Sequence, residues 1–141
     1  MNEVNAKFLK EYTMLDNLIK REFDVDVGVT TYIDRMEDIL FKTKYFSEEF
    51  NEIYNELKHL RWKRNKITHE EEYMDKYFCT EEDIKYIQIL FNNVKNKKDP
   101  LTLVNIKQNK ITKENGAVPL IIGITVLSIL VIAIAIYLRI Y

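Results

Sequence analysis

Gly116 to Leu138, GAVPLIIGITVLSILVIAIAIYL, is 23 residues long and carries no charge. At a rise of about 1.5 Å per residue such a helix spans roughly 34 Å, enough to cross a hydrocarbon core with some tilt. The run predicts one transmembrane helix, with Tyr137 and Tyr141 at the far interface and residues 139–141 as a short tail. Met1 to Lys20 is charged throughout, so no cleavable signal peptide is expected, and insertion after synthesis as a tail anchor is. Lys107, Lys110 and Lys113 before the run outweigh Arg139 after it. By the positive-inside bias, the N-terminal domain is expected on the cytoplasmic face of a cell membrane.

The remaining 1–100 segment is long enough for one modest core, and 101–115 reads as a juxtamembrane linker. The segment holds 17 Lys/Arg against 21 Asp/Glu, a poor balance for general nucleic-acid binding. One local strip runs the other way: Lys58, Arg61, Lys63, Arg64 and Lys66, with His59 among them. The single cysteine, Cys79, has no internal disulfide partner and no Cys/His cluster around it, so it reads as a half-buried thiol. No cofactor or metal is expected.

Apolar spacing predicts four helices. The first runs from about Asn5 to Phe23, burying Phe8, Leu9, Tyr12, Leu15, Leu18 and Ile19. Asp24 to Gly28 breaks the period as a solvated turn, since the ordered ligands of a calcium loop are missing. The second helix runs from Thr30 to about Lys44, with Thr30 or Thr31 as cap, Ile33, Met36, Ile39 and Leu40 inward, and Tyr32 a further candidate for that face. Ser47 caps the third, and Glu48 and Glu49 suit its N-terminal dipole. Glu70 to Glu72 fray its end, and Tyr73 to Phe78 form an aromatic connection over the bundle. Thr80 and Asp83 read as a capping box for a fourth helix with Ile84, Ile87, Gln88, Phe91 and Val94 inward, ending between Asn96 and Pro100. The expected class is all-α, a four-helix bundle followed by the linker and the membrane span.

On the third helix, at about 100° per residue, Phe50, Ile53, Tyr54, Leu57, Leu60 and Ile67 make one apolar stripe with Arg64 in its middle. A guanidinium there needs a carboxylate partner or a polar cleft, because an unpaired buried charge is strongly destabilising. Asn65 and His69 lie on the flank, with Trp62 beside them.

Arg64-Asn65-Lys-Ile-Thr-His69 resembles the R-N-x-x-x-H signature of the HEPN superfamily, placed near the end of the third helix of a small helical domain. The wider chain, with FLKEYTMLDNLI, GVTTYIDRME, LKHLRWKRNKITHE and CTEEDIKYI in that order, also resembles a small uncharacterised family of bacterial helical proteins sharing that motif. The resemblance covers residues 1 to 100. It implies a homodimer whose two motifs meet in one cleft, with Arg64 binding phosphate, Asn65 orienting and His69 acting on a 2′-hydroxyl. It further implies metal-independent RNase activity of the toxin or defence type, with RNA or nucleotide as ligand and an antitoxin or other protein as partner.

The residue types suit that chemistry, since imidazole titrates near neutrality and a guanidinium grips phosphate oxygens in pairs. Along a straight helix, however, Arg64 and His69 diverge by about 140°, so a frayed end or a second copy has to close the site. The competing reading keeps Arg64 paired with Asp16 or Asp34 and His69 as a helix-end histidine. Trp62, with Arg61 next to it, is either an interface contact or, for the indole, a cover over the aromatic connection. The alternative function is a non-catalytic helical adaptor or ligand-binding module holding a partner at the membrane.

Overall fold

Capping side chains fix where the helices begin. The computed structural model describes residues 1–42 and 47–106, and every regular element among them is helical. Helix α1 spans Glu3–Phe23, opening two residues before the expected start because the Asn2 side chain accepts the Asn5 N–H at 2.8 Å. It closes on Asp24 in the left-handed conformation, φ 51°, which Asp tolerates better than most residues.

Helix α2, Gly28–Lys42, is capped from a distance and not by Thr30 or Thr31. Asp16 Oδ1, on α1, accepts the Val29 N–H at 2.8 Å, while its Oδ2 lies 2.9 Å from Lys20. Glycine is required at the crossing: a Cβ on Gly28 would sit 2.1 Å from the Asp16 carbonyl oxygen. Tyr32, Ile33 and Met36 are buried, and Ile39 and Leu40 half-buried.

Helix α3, Glu48–His69, starts at the expected Ser47 cap and ends where Glu70 turns extended. A single turn, α4 at Glu71–Met74, follows. Helix α5, Glu81–Lys95, opens on the full Thr80/Asp83 capping box. Its inward face carries Leu90 where Gln88 was expected: Leu90 is buried and Gln88 exposed.

Residues 100–106 are helical too, so the part of the expected linker that lies among the described residues, 101–106, begins as a helix. Asp99 Oδ1 caps this start by accepting the Thr102 N–H at 3.1 Å, and Pro100 occupies the first helical position, where a missing N–H does no harm. The same oxygen accepts the Tyr32 hydroxyl at 2.8 Å, and Leu101 is buried.

Residues Met1–Leu103 form one compact unit. Within it α1 is the central helix, packed most extensively on α5 and then on α2; α3 lies on α2 and touches α1 lightly. Phe8, Leu15, Ile19, Val29, Met36, Leu57, Leu60, Ile87 and Val94 are wholly enclosed. Each large apolar side chain so buried contributes about 1.5–3 kcal/mol relative to exposure.

A buried amide ties the loop before α5 to α1. Asn5 Nδ2 donates to the carbonyls of Tyr73, Met74 and Lys76 at 3.0, 3.2 and 2.8 Å, and Asn5 Oδ1 accepts the Cys79 N–H at 3.2 Å. Cys79 is enclosed there, and burial, reinforced by Asp83, pushes its thiol up to about 12. Among the described residues no helix is long and apolar enough to cross a membrane. The 116–138 run, residues 107–115 and the 139–141 tail lie outside the described residues.

Candidate functional site

The cations of α3 divide into those with a partner and those without. Lys63, nearly buried, grips both oxygens of buried Asp83 at 2.8 and 2.7 Å. Burial alone disfavours the Asp83 carboxylate, yet the Lys63 ammonium and the Thr80 groups hold its titration below the ordinary range. Lys66 pairs with Glu70 at 2.6 Å, and Lys58 donates to the Tyr54 hydroxyl at 3.2 Å. Two of the five cations of the basic strip, Lys63 and Lys66, are therefore neutralised. Lys58, Arg61 and Arg64 have no carboxylate partner among the described residues, and of these Lys58 is turned to the hydroxyl and ring of Tyr54.

Both arginines line an open cleft of about 450 Å³ between α1, the α1–α2 turn and α3. The α1 wall carries Tyr12, Asp16 and Asn17, the turn adds Asp26, and α3 adds Asn65. Arg64 donates to Asn65 Oδ1 at 3.0 Å, which orders the guanidinium and leaves the rest of its fork open. Tyr12 forms a buried part of the wall. Its hydroxyl is pushed up by burial and by Asp16, with Arg64 and Arg61 opposing, so both cations act on this point of the cleft.

The expectation of Arg64 within the apolar stripe is corrected: the side chain is exposed. The helical angle was right, but α1 meets α3 only lightly, so the stripe opens into the cleft at this level and Ile67 alone continues the core. The proposed scaffold partners are also excluded. Asp16 is engaged by Lys20 and Val29, and Arg64 makes no ion pair with it or with Asp34 among the described residues.

His69 is exposed, the last residue of α3, and does not line the cleft. Within one chain Arg64 and Asn65 come together and His69 stays apart. Trp62 stacks on His59 with ring centroids 5.5 Å apart and packs on Phe78 at 5.3 Å, so it does cover the aromatic connection while remaining 46% exposed. Arg61 faces the cleft. Among the described residues no group of three or more His, Cys, Asp or Glu is arranged to hold a metal ion.

Three polar residues that tie distant elements together escape the sequence reading: Asn5, Asp16 as remote cap, and Asp99. Asn5 carried a signal, being a polar residue in phase with Phe8, Tyr12, Leu15 and Ile19 on the buried face of α1. No curated protein and no solved structure matches the chain. Residues 6–119 match a family of unknown function, DUF6548, and the chain belongs to that family.

Proposed function

We propose that this chain is a membrane-tethered, HEPN-like helical protein whose α1–α3 cleft binds a phosphate of RNA through Arg61, Arg64 and Asn65. Cleavage then requires a second copy, whose His69 approaches the cleft to take the 2′-hydroxyl proton. The observation that carries the reading is that Arg61 and Arg64 both line one cleft without an ion pair among the described residues, while the enclosed Lys63 of the same helix is paired. An exposed guanidinium fork beside an amide is suited to two phosphate oxygens, and in a partly enclosed cleft a charge-assisted contact is stronger than in open water. The separation of His69 from the cleft favours a dimer over a single-chain catalyst, because helix geometry turns the two side chains apart.

The test is RNA cleavage by the full chain in EDTA, beside Arg64→Ala, His69→Ala and a mixture of the two variants. Loss in each variant with recovery in the mixture is the expected outcome, since mixed dimers rebuild one composite site. Absent activity in the native chain, or equal activity in all samples, contradicts the catalytic reading.

A second reading has its own observation. Trp62 is half exposed in a stack with His59 and Phe78, a surface suited to a protein partner. On this adaptor reading Trp62→Ala abolishes partner or self-association and His69→Ala is silent; the reverse pattern excludes it.

A further inference from the structure

A second hollow, of about 340 Å³, lies between α3 and α5 on a different part of the bundle, where these two helices meet at most marginally. Its α3 side carries Glu49, Glu52, Ile53 and Glu56, and its α5 side Tyr86, Ile89, Leu90 and Asn93. Leu90 is buried, Ile53 half-buried, and Ile89 on the rim is 51% exposed.

The glutamates break a local rule. Glu49, Glu52 and Glu56 follow one another at spacings of three and four on one helix face, where like charges repel. None of them has an ion pair or hydrogen bond among the described residues, although Lys7, Lys20, Lys63, Lys66 and Lys97 of the same unit are each matched to a carboxylate. Tyr86 registers them: burial, then Glu56, Glu52 and Glu49, push its hydroxyl up to about 12. The helix dipole favours Glu49 in the first turn of α3, but Glu52 and Glu56 have no such compensation, and an acidic wall over an apolar floor with an exposed isoleucine is unfavourable for the isolated bundle. It becomes favourable once a cationic, apolar surface covers it.

From this we infer that the α3–α5 groove docks an amphipathic helix of a partner protein that presents Lys or Arg to Glu49, Glu52 and Glu56 and an apolar face to Ile53, Ile89 and Leu90. The acidic row covers two turns of α3, which matches the i, i+3/i+4, i+7 anchors of a helix laid in a groove. The charge sets the partner's sign and steers its approach, and the apolar floor provides anchorage.

The experiment uses fluorescence anisotropy of a labelled Leu/Lys amphipathic peptide titrated with purified full chain. Glu52→Gln/Glu56→Gln and Ile89→Ser, all at exposed or half-buried positions, are measured in the same preparation so that binding elsewhere cancels. The groove predicts saturable binding, weakened about tenfold by either variant and further by added salt. A Ser/Lys peptide of equal charge is expected to bind more weakly and a Leu/Glu peptide not at all. Arg61→Gln/Arg64→Gln leaves the affinity unchanged, which separates this inference from the RNA reading. No binding, equal binding by the groove variants, or equal binding of the Ser/Lys peptide overturns it. So does self-association of the chain that Ile89→Ser disrupts, which would make a second copy the occupant.

Discussion

Lys63 and Arg64 are adjacent in the chain and carry the same charge, yet they have opposite fates. Lys63 turns toward α5 and is enclosed with Asp83, whereas Arg64 turns toward the cleft beside α1 and meets no carboxylate among the described residues. The step of about 100° between consecutive helical residues is the whole cause. What the pair teaches is that a basic run on a helix is not one feature: its members are divided by the helices packed on either side, and only the unmatched members remain for a ligand.

Breaking each cation in turn sharpens this contrast. Lys63→Met strands the Asp83 carboxylate in a buried site and is expected to lower the unfolding free energy by about 3 kcal/mol, read from urea denaturation. Arg64→Met, which removes no intramolecular ion pair, is expected to change it by about 0.5 kcal/mol or less. Similar losses in both variants would erase the distinction.

Acid titration probes the same pair without mutation. The carboxyl of Asp83 titrates below its ordinary value of about 3.9, so its contribution is complete above that pH and is lost as pH falls through the depressed folded value. Stability is therefore expected to fall below about pH 4, and this limb of the profile is expected to be shallower in Lys63→Met. An identical acid limb in the two proteins would show that Lys63 does not hold the carboxylate.

Cys79 lies close enough to this buried pair for both of its members to act on the thiol. With the thiol held near 12, alkylation by iodoacetamide at pH 8 is expected to be slower in the native chain than in denaturant by at least about tenfold. Fast native labelling would mean that the Lys63–Asp83 side of α3 is open. An effect as small as that of Arg64→Met belongs to Lys66, whose pair with Glu70 is partly exposed: Lys66→Ala is expected to cost about 0.5 kcal/mol or less.

Local chemistry explains what could be read in advance. The Ser47 cap, the Thr80/Asp83 box and the apolar spacing of α1 and α3 each depend on residues within two turns of one another. Long-range partners were invisible for the complementary reason. Asn5 reaches a loop about 70 positions away, Asp99 meets Tyr32 across 67 positions, and Lys63 meets Asp83 across 20. The Arg64–Asn65 half of the motif came together because its members are neighbours. Arg64 stands on the apolar stripe and is exposed all the same, because a helical wheel gives the direction of a side chain and not the distance to the helix opposite. Tyr12 was assigned to the core, correctly, but that it also forms a wall of the cleft depends on how α1 and α3 splay.

The central claim is that Arg61 and Arg64 are left unmatched for a phosphate. Its most direct test is the salt dependence of binding between the full chain and a labelled single-stranded RNA oligonucleotide, for the native protein, Arg61→Gln/Arg64→Gln and Lys58→Gln. The account predicts that the double variant loses about 1.4 from the slope of log affinity against log salt, while Lys58→Gln leaves it unchanged. Equal slopes for the native chain and the double variant, or no RNA binding at low salt, would contradict it.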